Sequence, residues 1–214
     1  MAKYPIYLDL TGTQAVVVGA GSVAARKVKT LLRAGANVRV VTKTVEKDFE
    51  ESCQGLDIEL LKTEYSSSHL ADAFLVIAAT NDNKLNTRIY NECQDLKILC
   101  NVVDVPDLCN FYVPSVLRQG DLQIAISTNG KCPAYAAHLR RTLEKLITED
   151  HARFLDGLDD IRKEIIASGI PLADRKTLLI KLANDDSFEM FLKEGPHIWK
   201  QKSLKMLSAK RNEG

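Results

Sequence analysis

A glycine-rich turn is the feature of this 214-residue chain whose spacing most directly suggests ligand binding. The segment Gly19-Ala20-Gly21-Ser22-Val23-Ala24 follows an apolar run, opens a helical stretch and matches the pattern Gly-x-Gly-x-x-Ala. Gly19 permits a tight turn, Gly21 lets backbone amides approach a pyrophosphate, and Ala24 lets the helix pack close to the strand. The helix N-terminus adds free amides and a partial positive charge. We predict a dinucleotide site here; the alternative is a glycine turn without a ligand.

The end of the second predicted strand lacks the acidic residue that commonly holds the ribose of NAD. The sequence at this point is Val41-Thr42-Lys43-Thr44. Thr42 or Thr44 could hydrogen-bond a ribose, whereas Lys43 could favour the extra phosphate of NADP. The residues alone therefore leave open which of the two cofactors binds.

Two other strand ends carry small and polar residues to the edge of the predicted sheet, where ligands of open α/β sheets bind. One reads Ala78-Ala79-Thr80-Asn81-Asp82, and the next reads Asn101-Val102-Val103-Asp104-Val105-Pro106. A carboxylate that follows an apolar strand beside a nicotinamide could be a general base, which makes Asp104 a candidate catalytic residue. The alternative is that Asp104 supports the turn before Pro106.

The elements that would position these residues alternate between strand and helix up to about residue 113. Such alternation predicts an α/β fold with a Rossmann-like parallel sheet that is covered on both faces. The predicted strands are 15–18, 38–41, 58–61, 74–79 and 98–103, and the predicted helices are Ser22–Arg33, Glu46–Cys53 and Leu85–Cys93.

This alternation ends after residue 113, where two extended runs flank the turn residues Arg118-Gln119-Gly120-Asp121. The runs 111–117 and 122–127 predict a β-hairpin with Gly120 in its turn. Pro133 fits the first turn of a helix that is predicted to continue to about Thr148. An all-helical C-terminal region is expected to follow, with helices at Glu149–Ser168, Leu172–Leu182, Ser187–Lys193 and Pro196–Ser208.

The charge and cysteine content exclude several classes of protein. A net charge of +1 provides no overall basic field for nucleic acid or an anionic membrane, and no apolar run approaches the roughly 18–20 residues that a bilayer requires. The five cysteines are odd in number and include no Cys-x-x-Cys pair, so neither a disulfide framework nor a structural metal site is expected. Together with an N-terminus that lacks an apolar signal segment, these features predict a reduced, cytoplasmic protein.

Several segments occur in an order that carries a family resemblance. They are Tyr4-Pro5-Ile6-Tyr7-Leu8, the glycine turn with its helix through Lys27, the two polar strand ends, Phe111-Tyr112-Val113-Pro114-Ser115, and the run from Ile124 to Pro133. With these segments in register over roughly residues 1–150, the chain resembles the precorrin-2 dehydrogenase module of siroheme synthases.

The resemblance implies an enzyme that uses NAD⁺ to oxidise precorrin-2 to sirohydrochlorin in siroheme biosynthesis. Some members of the family also insert Fe²⁺ into sirohydrochlorin as a substrate, to give siroheme. The resemblance further implies that Asp104 lies at the centre of the chemistry and that a homodimer forms through the hairpin and the following helix. We therefore expect an NAD-binding domain at 1–113, a dimerisation segment at 114–148 and a helical domain at 149–214, without a fused methyltransferase module.

The candidate site residues fall into a cofactor set and a substrate set. By motif and by resemblance, cofactor contacts are expected at Gly19, Gly21, Ser22, Val23, Lys43, Thr44, Thr80, Asn81, Asp82, Asn101 and Val103. The tetrapyrrole substrate carries many carboxylates and needs donors, although basic residues on a helix are as often a solvated face. Substrate contacts are expected at Ser127, Thr128, Asn129, Lys131, Arg140 and Arg141.

The competing interpretation is an NAD-binding regulatory protein without catalysis, which the glycine turn alone does not distinguish from an enzyme. The segments Asn101–Asp104 and Ser127–Pro133 favour the enzyme, because a sensor needs no base at the nicotinamide. A dehydrogenase for a small substrate would typically need an anchoring arginine and a histidine or lysine acid/base, and the sequence offers no convincing set.

Overall fold

The computed structural model describes residues 3–212, which divide into two compact units, residues 3–113 and 114–212. Met1, Ala2, Glu213 and Gly214, which belong to the outer ends of the predicted domains, lie outside the described residues. Within the described part of the chain, no helix is both long enough and apolar enough to cross a bilayer.

Five parallel strands form the sheet of the first unit, in the spatial order β3-β2-β1-β4-β5. The chain moves outward from β1 through β2 to β3, and then returns to place β4 on the other side of β1. The order therefore reverses between β1 and β4, where open sheets leave a crevice at the carboxyl ends of the strands. The strands are β1 Gln14–Val18, β2 Asn37–Thr42, β3 Glu59–Lys62, β4 Ala73–Ala78 and β5 Leu99–Val102.

Helices cover both faces of this sheet because β1 is apolar on both sides. Ala15 and Val17 pack with α1 (Ser22–Arg33) and α2 (Lys47–Cys53), whereas Val16 and Val18 pack with α3 (Asn83–Asp95). Short 3₁₀ turns at Ser67–Leu70 and Pro106–Leu108 complete the α3 side. The predicted Rossmann-like parallel sheet is confirmed, and the bounds of its elements differ from the sequence prediction by one to two residues at most ends.

The second unit begins with an antiparallel hairpin of β6 (Ser115–Gln119) and β7 (Leu122–Ile126). Gly120 has a φ of 55°, which places the turn where the sequence predicted it. The segment 111–114 is not part of a strand, contrary to the prediction that the first run starts at residue 111. The hairpin packs against both α4 and α5, so it shares one compact unit with the helices that follow.

The helix α4 spans Pro133–Leu143, and its predicted extension to Thr148 is wrong. Residues 144–147 form turns, and Thr148 cannot belong to α4 because it has extended backbone angles as the N-cap of the next helix, α5 (Glu149–Ala167). The backbone N–H of Thr148 donates to Nδ1 of His151 at 3.2 Å, which completes a capping box. The remaining helices are α6 Leu172–Leu182, α7 Asp185–Glu194 and α8 Pro196–Asn212.

An aromatic cluster forms the core of the helical region. Phe154, Phe191 and Trp199 meet edge to face, with ring centroids 5.3 to 5.7 Å apart. Trp199 is 1% exposed, and its indole N–H donates to the buried hydroxyl of Ser187 at 2.8 Å. The tryptophan therefore ties α8 to α7 through both packing and a hydrogen bond.

Replacing Ser187 with alanine should lower the free energy of unfolding by about 1–3 kcal/mol, because the buried indole N–H of Trp199 loses its acceptor. Trp199 is the single tryptophan of the chain, so its fluorescence during urea unfolding reports on this unit. Ser208→Ala on the exposed side of α8 is the control and should change stability by less than about 0.5 kcal/mol. Equal effects of the two substitutions would contradict the role of the Ser187 hydroxyl.

Candidate functional site

The loops that follow β1 and β4 approach each other at Gly19. This residue has a φ of 110°, and a Cβ atom added to it would lie 2.3 Å from the carbonyl oxygen of Ala79. Two hydrogen bonds fix the approach: Gly19 N donates to Val41 O at 2.9 Å, and Ala79 N donates to Val18 O at 2.8 Å. Only glycine fits both the backbone angle and the space at this position.

The N-terminus of α1 opens directly into the space beside these loops. Its N-cap residue is Gly21, no side chain caps the helix, and its first turn contains no acidic residue. The first amides of a helix have no partner within the helix. The amides of Ser22, Val23 and Ala24 therefore form a cradle that fits the pyrophosphate of a dinucleotide. A Cβ atom at position 21 would lie 3.0 Å from Oε2 of Glu46, so the glycine leaves room for this carboxylate beside the cradle.

A cleft of about 580 Å³ lies at this edge of the sheet. Its size is within the usual range of small-molecule sites. It brings together nine of the predicted cofactor contacts, namely Gly19, Gly21, Ser22, Val23, Lys43, Thr44, Thr80, Asn81 and Asp82. Sequence reasoning missed Glu46, Thr63, Tyr65 and Leu85, which also line the cleft and which carry no local motif.

The loop after β4 is ordered by a hydrogen-bond network around Asn86. The Thr80 hydroxyl donates to Oδ1 of Asn86 at 2.7 Å, and Nδ2 of Asn86 donates back to the Thr80 carbonyl at 2.9 Å. The Asp82 carboxylate accepts from the backbone N–H groups of Lys84 and Leu85 and so caps α3. This loop therefore presents a fixed backbone to the cleft, while the Asp82 carboxylate is engaged in capping.

The opposite wall of the cleft contains polar groups that are already paired. The Lys43 ammonium lies 2.6 Å from Oε1 of Glu64, and this hydrogen bond lowers the pKa of the Glu64 carboxyl. The Thr42 hydroxyl donates to the Thr44 carbonyl at 2.7 Å and closes the turn after β2. The Tyr65 hydroxyl donates to Oε2 of Glu92 at 2.6 Å, and burial raises the pKa of this phenol.

Asp104 lies beyond the cleft lining, in the exposed loop after β5. Its φ of 61° is in the left-handed region. The predicted contacts Asn101 and Val103 also lie outside the cleft lining. Asn101 is 8% exposed, and its Nδ2 donates to the carbonyl of Phe111 at 3.0 Å. Its side-chain amide therefore bonds to the protein backbone rather than facing the cleft. The cofactor role of Asn101 and Val103 stays a prediction.

The thiol of Cys109 holds the Asp104 loop from both sides. Its Sγ lies 3.2 Å from the carbonyl oxygens of Val102 and Val105, which flank Asp104, and accepts from Nδ2 of Asn101 at 3.4 Å. Burial raises the pKa of this thiol, which keeps it protonated as a donor. Sequence reasoning assigned no role to Cys109, because a single cysteine eight residues from Asn101 carries no recognisable signal.

Lys27 of α1 is a further charged group near this loop. Burial, followed by the charge of Arg26, lowers the pKa of its ammonium, while the charges of Asp104 and Cys109 act in the opposite direction. The Asp104 carboxylate is therefore close enough to this partly buried ammonium to favour its charged form.

The predicted substrate residues lie in the second unit. The hydroxyls of Ser127 and Thr128 accept from the backbone N–H groups of Asn129 and Cys132, both at 3.1 Å, and so order the loop before α4. Asn129 has a φ of 54° in this tight turn. The hydroxyls therefore shape the loop between β7 and α4.

The basic residues of this set do not form one cluster at the start of α4, as the sequence interpretation supposed. Lys131 precedes the helix, whereas Arg140 and Arg141 are in its last turn. A rise of 1.5 Å per residue places Arg140 about 10 Å along the helix from its first residue, Pro133. Arg140 also forms an ion pair with Glu144. The role of all three in substrate binding stays a prediction.

Comparison with protein families gives two matches that together span most of the first 146 residues. A family model described as "Putative NAD(P)-binding" matches residues 6–115. A second model, described as "Sirohaem biosynthesis protein central", matches residues 119–146. The first model includes the glycine cradle, the cleft and the Asp104 loop.

Individual relatives agree with these matches. "Siroheme synthase 1" of Serratia proteamaculans (strain 568) is 41% identical over 147 residues, and "Siroheme synthase" of Neisseria meningitidis serogroup C (strain 053442) is 40% identical over 147 residues. These alignments cover 69% of this chain but only 31% of each relative, so the chain aligns with about a third of their length. The solved structure titled "SirC, precorrin-2 dehydrogenase" matches 97% of this chain and 100% of its own, with a TM-score of 0.76 and 24% identity.

Gly19→Ala should destabilise the first unit more than a left-handed backbone alone would, because the new Cβ would lie 2.3 Å from a backbone oxygen. Gly55→Ala is the matched control: Gly55 has a φ of 74° with open space around it, so its replacement should cost about 1–2 kcal/mol from the backbone angle. Urea unfolding followed by far-ultraviolet circular dichroism measures both. Equal losses would show that the approach to Ala79 is unimportant.

Cys109→Ala should loosen the Asp104 loop, because the buried S–H group that lies 3.2 Å from the carbonyl oxygens of both Val102 and Val105 is lost, whereas Cys109→Ser should keep the loop closed. Hydrogen exchange measured by mass spectrometry on peptides that contain residues 102–109 reports the loop opening. We expect faster exchange in the alanine variant and near-normal exchange in the serine variant. If both variants exchange like the unchanged protein, the thiol does not hold this loop.

Proposed function

This chain belongs to the NAD(P)-binding module family of siroheme biosynthesis, and we propose on that premise that it oxidises precorrin-2 to sirohydrochlorin with NAD⁺. The strongest support is the connection between the cradle and the candidate base. Val103 N donates to Ala78 O at 2.9 Å, so the Asp104 loop leaves the sheet beside the β4 end that lines the cleft. A cofactor seated in the cradle would thus lie next to the strand that carries Asp104.

Each part of the first unit has a defined task in this proposal. Bound NAD⁺ supplies the hydride acceptor. The α1 amides hold its pyrophosphate, and Asp104 accepts the proton that leaves the substrate as a new double bond forms. Asn101 and Cys109 keep the loop of Asp104 in one conformation, so the base does not have to be ordered during the reaction.

Two further expectations, a homodimer and a cytoplasmic location, belong to the proposal. A homodimer is supported by the exposed apolar side chains of Val116 on the hairpin and Tyr135 on α4. A reducing cytoplasmic location is supported by the five unpaired cysteines, of which four are buried. Insertion of Fe²⁺ into the product stays a prediction from the family resemblance.

Asp104→Asn should lower the rate of NADH formation from precorrin-2 and NAD⁺ by at least about 10²-fold under anaerobic conditions, because a general base is lost. Asparagine tolerates the left-handed backbone, so the loop should keep its shape and the affinity for NADH should stay within about threefold. Asp107→Asn, in the 3₁₀ turn of the same loop, is the control for charge and should retain the full rate.

The same assay separates the proposal from a regulatory protein. An unchanged protein that binds NADH but never reduces NAD⁺ in the presence of precorrin-2 would be a sensor. If Asp104→Asn turns over at the normal rate, the dehydrogenase assignment survives but Asp104 is not its base.

A further inference from the structure

Glu46 places a carboxylate against the glycine cradle. A Cβ atom added to Gly21 would lie 3.0 Å from Oε2 of Glu46 and 3.2 Å from Oε1. The backbone N–H of Glu46 donates to the carbonyl of Ala20 at 3.0 Å, which fixes this residue to the loop that forms the cradle. The position of the carboxylate therefore follows from the same backbone that positions the first amides of α1.

The Glu46 carboxylate differs from the other acidic groups that line or flank the cleft because it has no partner. Glu64 is paired with Lys43, and Asp82 caps α3. Glu46 is the N-cap residue of α2, but its side chain does not cap that helix. Among residues 3–212, no group donates a hydrogen bond to its carboxylate or forms an ion pair with it. Both oxygens are consequently available to a ligand in the cleft.

An unpaired carboxylate beside the pyrophosphate cradle has a specific use. The two neighbouring hydroxyls of a ribose can both donate to one carboxylate, whereas a phosphate on the 2′ oxygen would be repelled by it. The end of β2, where such an acid usually lies, offers only hydroxyls and Lys43. The Thr42 hydroxyl donates to the Thr44 carbonyl, and Lys43 forms an exposed ion pair with Glu64.

We propose that Glu46 is the ribose-binding acid of this cleft and selects NAD(H) over NADP(H). It takes the place of the missing acid at the end of β2, and it reaches the cradle from the segment that leads into α2. The proposal rests on the proposed function, since it requires a dinucleotide in the cleft. It assigns a preference that the residues at the end of β2 left open.

The test compares direct binding of NADH and NADPH to the purified full chain, by isothermal titration calorimetry at one fixed salt concentration. Glu46→Gln removes the charge but keeps the size of an exposed side chain, so the fold should be unaffected. We expect NADH to bind about tenfold more weakly to this variant, because charged acceptors make the stronger hydrogen bonds. NADPH should bind equally well or more tightly, because a repulsive charge is gone.

Glu50→Gln is the matched control, since Glu50 is exposed on α2 and is absent from the cleft lining. It should leave both affinities unchanged. If Glu46→Gln tightens NADH and NADPH equally, the carboxylate merely competes with the pyrophosphate, and the proposal is overturned. No change in either affinity also overturns it. If the unchanged protein binds neither dinucleotide, the proposed function fails as well, which distinguishes that failure from a failure of the Glu46 assignment.

Discussion

The backbone contact between Gly19 and Ala79 determines how the rest of the site is arranged. It brings the loops after β1 and β4 together where the strand order reverses, and the chain can then enter α1 with its free amides facing the cleft. The same edge of the sheet continues to β5, because the backbone N–H of Val103 donates a hydrogen bond to the carbonyl of Ala78 at the end of β4. The cradle and the Asp104 loop are thus consecutive parts of one sheet edge, and their separation is set by the spacing of neighbouring strands.

At this edge of the sheet, some polar groups hold the loops through hydrogen bonds, and others are free to bind a ligand. Asn86 and Cys109 engage the loops after β4 and β5. Within residues 3–212, every buried side-chain nitrogen and oxygen has a partner. The groups without a partner at this edge are of a different kind: the first backbone amides of α1 and the exposed Glu46 carboxylate both lie on the cleft, where a ligand can bond to them.

Sequence reasoning succeeded where the determinants are local. The parallel sheet and the Gly19–Ala24 cradle follow from short apolar runs and glycine spacing. The predicted end of α4 was wrong, because no breaking residue marks the turns at 144–147 that follow Leu143 and precede the N-cap of α5 at Thr148. The predicted basic cluster at the start of α4 was wrong because Lys131 precedes the helix and Arg140 lies in its last turn. No local sequence motif marks Glu46 or Cys109. Glu46 matters because the fold places its carboxylate beside Gly21, and Cys109 because the fold places its thiol beside the carbonyls that flank Asp104.

The position of Glu46 also has an evolutionary consequence. The hydrogen-bond ladder of β2 ends at Thr42, paired with Lys62, and Glu46 lies four residues further along, in a connecting segment. An exchange at this position leaves the ladder and the core beneath α2 untouched. On the assignment of Glu46 proposed above, one substitution in this segment is enough to change the cofactor preference while the strand pairing of β2 stays intact. The stability of the sheet and the preference for one dinucleotide thus depend on different residues.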